Sequence, residues 1–191
     1  SKISLIDYNK KKYIIAVGRL VPQKGFDILI KAFANTKLPA NNINLLIVGE
    51  GPLRHQLIKL SNELNVGKYV QFPGYLQNIS PLYYHAEFFV LSSRWEGFGN
   101  VVVEALAQGT RVVTFDCPSG PGEIIQGLSD CILVPFKKFP EIDLAKSLDR
   151  MFESKVNDKT KLTERAKNFS VENAGLTLCG IVKQFKDEFI E

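Results

Sequence analysis

"YIIAVGRLVPQKGFDILIKAFANT", residues 13–36, begins with an apolar run, turns at Gly18, and resumes after Gly25 with apolar residues at helical spacing. Residues 13–18 read as a buried strand and residues 26–36 as an amphipathic helix. The same unit recurs along the chain. Strands are expected over 43–49, 69–74, 87–93, 111–116 and 131–135. Helices are expected over 52–65, 78–86, 100–109, 141–154, 161–169 and 171–191. Pro52 suits a first helical turn and Gly109 a helix end. Alternation of this kind implies an α/β fold: a parallel sheet of about six strands with helices on both faces.

The 191 residues fit one domain with terminal additions, and 45% hydrophobic against 23% charged residues excludes disordered and collagen-like classes. A net charge of +4 suits anionic ligands without indicating nucleic acid. Cys117, Cys131 and Cys179 are widely spaced, and with only His55 and His85 beside them they support neither a metal site nor a disulfide framework. A reducing compartment fits best. His55 reads as exposed, His85 as a packing or helix-end residue, and Trp95 as packed under its loop. No apolar run is long enough to span a bilayer.

In a parallel sheet, ligands gather where strands run into helices. "GRLVPQKGFD" (18–27) places Arg19 and Lys24 five positions apart before a helix start. This pattern suits a diphosphate, because Arg grips oxygens in pairs and Lys adds a compact charge. "GEGP" (49–52) offers glycines, Gly51 among them, that allow close backbone approach; "FPGYLQN" (72–78) could meet a planar base edge. In "SSRWEGFGNVVVEALAQG" (92–109), Gly97, Phe98 and Gly99 make a turn, and Asn100 is expected to cap the next helix. The N–H groups of residues 99–102 would then face an anion. Glu96 in the loop and Glu104 one turn into the helix can each accept hydrogen bonds from vicinal hydroxyls. A ligand with a sugar, a diphosphate and a second sugar would use both. The three valines 101–103 point to a helix held by packing.

"GRLVPQKG", "GEGPLR", "FPGY" and "SSRWEGFGNVVVEALAQGTRVV", in this order, resemble the donor-binding half of the group 1 retaining glycosyltransferases of GT-B fold, over roughly residues 13–134. The family's pair of glutamates with seven residues between them is matched by Glu96 and Glu104. The resemblance implies a Rossmann-like domain in which Arg19 and Lys24 hold the donor diphosphate, with Gly18 among the donor-binding residues. It implies that Glu96, with the backbone of Gly97, Phe98 and Gly99, contacts the transferred sugar. Asn100 and Val101 would donate backbone N–H groups to phosphate, and Glu104 would hold the ribose. The segment Phe72, Gly74 and Tyr75 would meet the base, with Gly51 nearby. Arg19, Lys24 and Glu96 are the expected catalytic residues, with no metal and no cofactor. "DCPSGPGEII" (116–125) resembles members that use UDP-activated hexoses or N-acetylhexosamines for surface glycans.

In such enzymes an acceptor-binding half precedes this one. The expected organisation is therefore a linker remnant over 1–12, a nucleotide-sugar domain over 13–170, and a helix over 171–191 packing back toward that half. The fragment alone is expected not to turn over. The partners that the resemblance implies are a nucleotide-sugar, expected to be UDP-linked, and a glycan or lipid-linked acceptor held by the missing half. Neither nucleic acid nor a transmembrane segment is implied. A cytoplasmic site is expected, with any peripheral membrane contact of the full-length protein made through that half. The alternatives are another GT-B chemistry such as epimerisation, and a non-catalytic nucleotide-binding module. "AVGRLVPQKG" lacks the G-x-G-x-x-G of a dinucleotide oxidoreductase.

Overall fold

The computed structural model describes residues 11–118, 120–155 and 158–170. The expected linker over 1–12, apart from its last two residues, and the expected helix over 171–191 lie outside them. The strands are β1 (Tyr13–Val17), β2 (Asn44–Val48), β3 (Val70–Gly74), β4 (Phe89–Leu91), β5 (Val112–Asp116) and β6 (Ile132–Pro135). The helices are α1 (Phe26–Ala34), α2 (Arg54–Glu63), α3 (Ser80–His85), α4 (Asn100–Ala107), α5 (Pro121–Ile125), α6 (Pro140–Glu153) and α7 (Lys159–Lys167). All strand pairs are parallel, in the order β3-β2-β1-β4-β5-β6. The chain winds outward from β1 in one direction, then returns to place β4 on the other side of β1. That reversal opens a crevice at the carboxyl ends of β1 and β4.

Alternating strand residues divide the core into two layers, as the period of two requires. Ile14, Ala16, Leu45 and Ile47 pack with α1, α2 and α6 on one face. Tyr13, Ile15, Leu46 and Val48 pack with α3, α4, α5 and α7 on the other. Within the described residues the expected elements are present, most of them a little shorter than the apolar runs suggested. α2 starts at Arg54, so Pro52 stands in the turn before it. The five-residue α5 falls in a stretch that showed too little periodicity to be read as a helix. At the opposite end of the sheet, buried Arg111 donates to the carbonyls of Met151 and Ser154 and so closes the end of α6.

The loops after β1 and β4 are in backbone contact. Gly25 ends a short 3₁₀ turn (Pro22–Lys24) with φ 61°, and a Cβ placed on it would lie 2.1 Å from the carbonyl oxygen of Ser92. Only glycine meets both demands. Around it, Ser92 Oγ donates to Lys24 O at 2.9 Å, Arg94 N to Gln23 O at 2.8 Å, and Gln23 Nε2 to Trp95 O at 3.0 Å. The Arg94 guanidinium reaches Asp27 Oδ1 and Oδ2 at 3.0 and 2.8 Å and Pro22 O at 2.6 Å. Gly25→Ala is predicted to lower stability by about 2 kcal/mol or more, from left-handed strain and the carbonyl clash combined. Urea unfolding checks this: the midpoint should fall with an unchanged slope, and an unchanged midpoint would mean that the two loops are not fixed to each other.

Candidate functional site

The lock between the two loops decides where the charges go. Lys24 Nζ meets Glu96 Oε1 at 2.6 Å, with side-chain exposures of 17% and 7%. Ser93 Oγ donates to the same carboxylate oxygen at 2.5 Å. Lys24 and Glu96, expected to act separately on diphosphate and sugar, are thus ion-paired across 72 positions of sequence. Of the three N–H donors of Lys24, one serves Glu96. Its methylene stem lies against Gly18, whose missing side chain leaves room for it: a Cβ there would sit 3.3 Å from Lys24 Cδ.

Gly18 also lines a cavity of about 440 Å³ at the carboxyl ends of β1 and β2. Arg19, Glu50, Tyr75, Leu76 and Ile79 are among its walls. Tyr75 is 76% exposed at its rim. Gly74, with φ 87°, turns the chain from β3 into this wall, and its carbonyl accepts from Gly49 N–H at 2.9 Å. Gly18 is common to both, so the cavity sits beside the Lys24–Glu96 pair.

On the other side of the crevice α4 begins. Its cap residue is Gly99, with φ 95° and ψ 46°, and no side chain caps the helix. Asn100 is the first helical residue, which corrects the expectation that it caps: a positive φ suits glycine, and the turn is one residue longer than a side-chain cap requires. Among residues 99–102, Val102 N–H is already taken by Gly99 O at 2.8 Å. The N–H groups of Asn100 and Val101 have no acceptor among the described residues. Both point out of the positive end of the helix. Val102 is fully buried with Val101 and Val103 partly so, as the valine run implied.

Glu104, on the exposed side of α4, accepts from the hydroxyl of buried Tyr83 at 3.2 Å. Burial and the charge of Glu104 both push the Tyr83 phenol up, so it remains a donor at every physiological pH. Gly97 meets nothing within 4 Å of where a Cβ would be, and its neighbour Phe98 is 45% exposed. Trp95 is 53% exposed, against the expectation that it packs under its loop. Its backbone carbonyl accepts from Gln23 Nε2, while the ring stays in solvent.

Two residues are not brought to the cavity. Phe72 packs against the core on the α2 side, beneath the Arg54 guanidinium, and its carbonyl accepts from Arg54 at 2.7 Å. Gly51 abuts Leu20, where a Cβ would meet backbone atoms at 2.5–2.8 Å, so its glycine serves chain packing. Sequence reasoning overlooked two supports: Ser93, and Arg94 with Asp27. Burial works to raise the Asp27 carboxyl, but the hydrogen bonds and charge of Arg94 outweigh it and hold it below the ordinary carboxylate range. Burial, then the nearby Glu96 charge, push the Cys117 thiol up, which disfavours its thiolate.

The family model of the glycosyl transferases group 1 matches residues 2–169. A Campylobacter jejuni N-acetylgalactosamine-N,N'-diacetylbacillosaminyl-diphospho-undecaprenol 4-alpha-N-acetylgalactosaminyltransferase is 34% identical over 167 residues, covering 84% of this chain and 43% of the relative. The GtfA subunit of a Streptococcus parasanguinis UDP-N-acetylglucosamine–peptide N-acetylglucosaminyltransferase is 29% identical over 190 residues, covering 87% of this chain and 37% of that one. Among solved structures, a GtfA/B complex superposes with a TM-score of 0.80 at 20% identity, over 93% of this chain and 37% of that chain. The chain thus spans less than half the length of these relatives. With its parallel sheet, its reversal at β1 and β4 and a family match over most of its residues, the chain belongs to the group 1 glycosyl transferases.

Proposed function

We propose that the chain is the donor-binding half of a retaining glycosyltransferase. In this reading it takes a hexose or N-acetylhexosamine from a UDP-sugar and passes it to a glycan or lipid-linked acceptor in surface polysaccharide or glycoconjugate synthesis. One observation carries the reading. Arg19, the Lys24–Glu96 pair and the unpaired N–H groups of Asn100 and Val101 border one crevice, next to a cavity large enough for part of a nucleotide.

The chemistry follows from those positions. The base and ribose would enter toward Tyr75, with Glu104 accepting from ribose hydroxyls on the α4 side. The diphosphate would lie between Arg19 and Lys24 on one side and the start of α4 on the other. As the bond to the sugar breaks, negative charge grows on the departing phosphate, and fixed cations and N–H groups stabilise it there most. Glu96, oriented by Lys24 and Ser93, would hold the transferred sugar with the backbone of Gly97, Phe98 and Gly99. No metal or cofactor has a part in this scheme. Residues 13–170 would form the donor domain, joined through residues 1–12 to an acceptor-binding half, with 171–191 packing back toward it. The names of the two relatives supply the support for UDP and for a lipid-linked acceptor. Among the described residues no helix is long and apolar enough to cross a membrane.

Calorimetric titration with UDP and UMP tests the diphosphate assignment. Lys24→Ala should weaken UDP by roughly tenfold to a hundredfold, the value of a charged hydrogen bond, and UMP much less. Equal losses, or no binding of either nucleotide by the parent chain, would overturn it. The two glutamates should also separate. Glu104→Gln should weaken UDP and UDP-sugar alike, whereas Glu96→Gln should leave UDP nearly unchanged and lower turnover in the full-length enzyme. If Glu96→Gln abolished UDP binding as Glu104→Gln does, the carboxylates would be supports of the loop and not contacts to two sugars.

A further inference from the structure

The segment that leaves the edge strand β6 reads Phe136-Lys137-Lys138-Phe139, and all four residues are exposed. Phe136 sets its ring edge-on against buried Phe115, with centroids 4.9 Å apart, yet stays 41% exposed. Phe139 is 56% exposed and Ile142 49%. Lys138 Nζ lies 5.5 Å from the centre of the Phe139 ring. One helical turn beyond Ile142, Lys146 continues the exposed face of α6. Glu141 and Asp143 also belong to the first turn of α6, where they offset the helix dipole and are only partly exposed. A core needs none of these apolar groups in solvent.

We propose that residues 136–146 form a docking surface for a bilayer containing anionic lipids. Two phenyl rings and an isoleucine would enter the headgroup boundary while Lys137, Lys138 and Lys146 meet lipid phosphates. This is the pairing by which interfacial segments bind anionic membranes. Charge complementarity selects this occupant: Lys137, Lys138 and Lys146 are exposed beside the apolar groups, whereas Glu141 and Asp143 are only partly exposed. Orientation agrees with it. Because the sheet is parallel, the segment follows the same carboxyl edge as the crevice, so docking would bring that edge to the membrane surface. The inference goes beyond the donor-site reading and does not depend on it.

The test is co-sedimentation of the full 191-residue chain with phosphatidylcholine vesicles, with and without a third of their lipid replaced by phosphatidylglycerol. The parent chain should bind the anionic vesicles, release with rising salt, and ignore the neutral ones. Phe139→Ser, at a position 56% exposed, should weaken binding severalfold. The double variant Lys137→Glu/Lys138→Glu should weaken it about tenfold or more, since each lysine near an anionic surface contributes roughly fivefold. Thermal unfolding and UDP titration of both variants should match the parent, which separates failure here from failure of the donor site. Absence of parent binding, or equal binding by the variants, would overturn the assignment. So would concentration-dependent dimerisation abolished by Phe139→Ser without vesicle binding, which would give the surface to a second copy.

Discussion

Everything at the candidate site depends on one close approach, that of Gly25 to the carbonyl of Ser92. A Cβ at 2.1 Å is excluded, so the loops after β1 and β4 touch backbone to backbone. From that contact the rest follows by short steps. Arg94 can reach Asp27 and Pro22, Ser92 can reach Lys24 O, and Glu96 arrives under the ammonium of Lys24. Without the contact, Lys24 and Glu96 would be two surface charges on separate loops, and exposed pairs of that kind contribute little. With it, they form a pair only 17% and 7% exposed at the mouth of the crevice.

The site is thus a fixed arrangement of opposite charges, held before any ligand arrives. Preorganisation of this kind matters for a reaction in which charge develops on a departing phosphate, because no reorganisation is needed at that moment. The Arg94–Asp27 pair serves the frame and not the chemistry. It orients the strand-to-loop junction through a bidentate contact, and the lowered Asp27 pKa keeps that contact intact down to acidic pH. Tyr83 plays the matching role beneath α4, donating from the core to a glutamate that faces outward.

The fold was legible in sequence because it is written in local signals. Apolar runs of strand length, helical spacing and glycines at strand ends recur from residue 13 to residue 167, and the structure follows them. The five-residue α5 escaped because one turn of helix carries no periodicity. The site was legible as a set of loops but not as a geometry. No local signal joins Lys24 to Glu96, which lie 72 positions apart, and none shows Phe72 turned toward Arg54 and away from the cavity. Gly51 and Gly25 look alike in sequence, yet one packs on Leu20 and the other fixes two functional loops. Asn100 looked like a cap by residue type, but the positive φ belongs to Gly99 one place earlier.

Amide chemical shifts of the isotopically labelled chain, followed during addition of UDP, test the central claim most directly. If the locked loops build the nucleotide site, the largest changes should fall at Gly18 and Arg19, at Tyr75 through Ile79, and at Asn100 and Val101, whose N–H groups would take up phosphate oxygens. Amides around Arg111 at the opposite end of the sheet should stay still. Saturable shifts confined to that opposite end, or no saturable shift at Asn100 and Val101, would contradict the account.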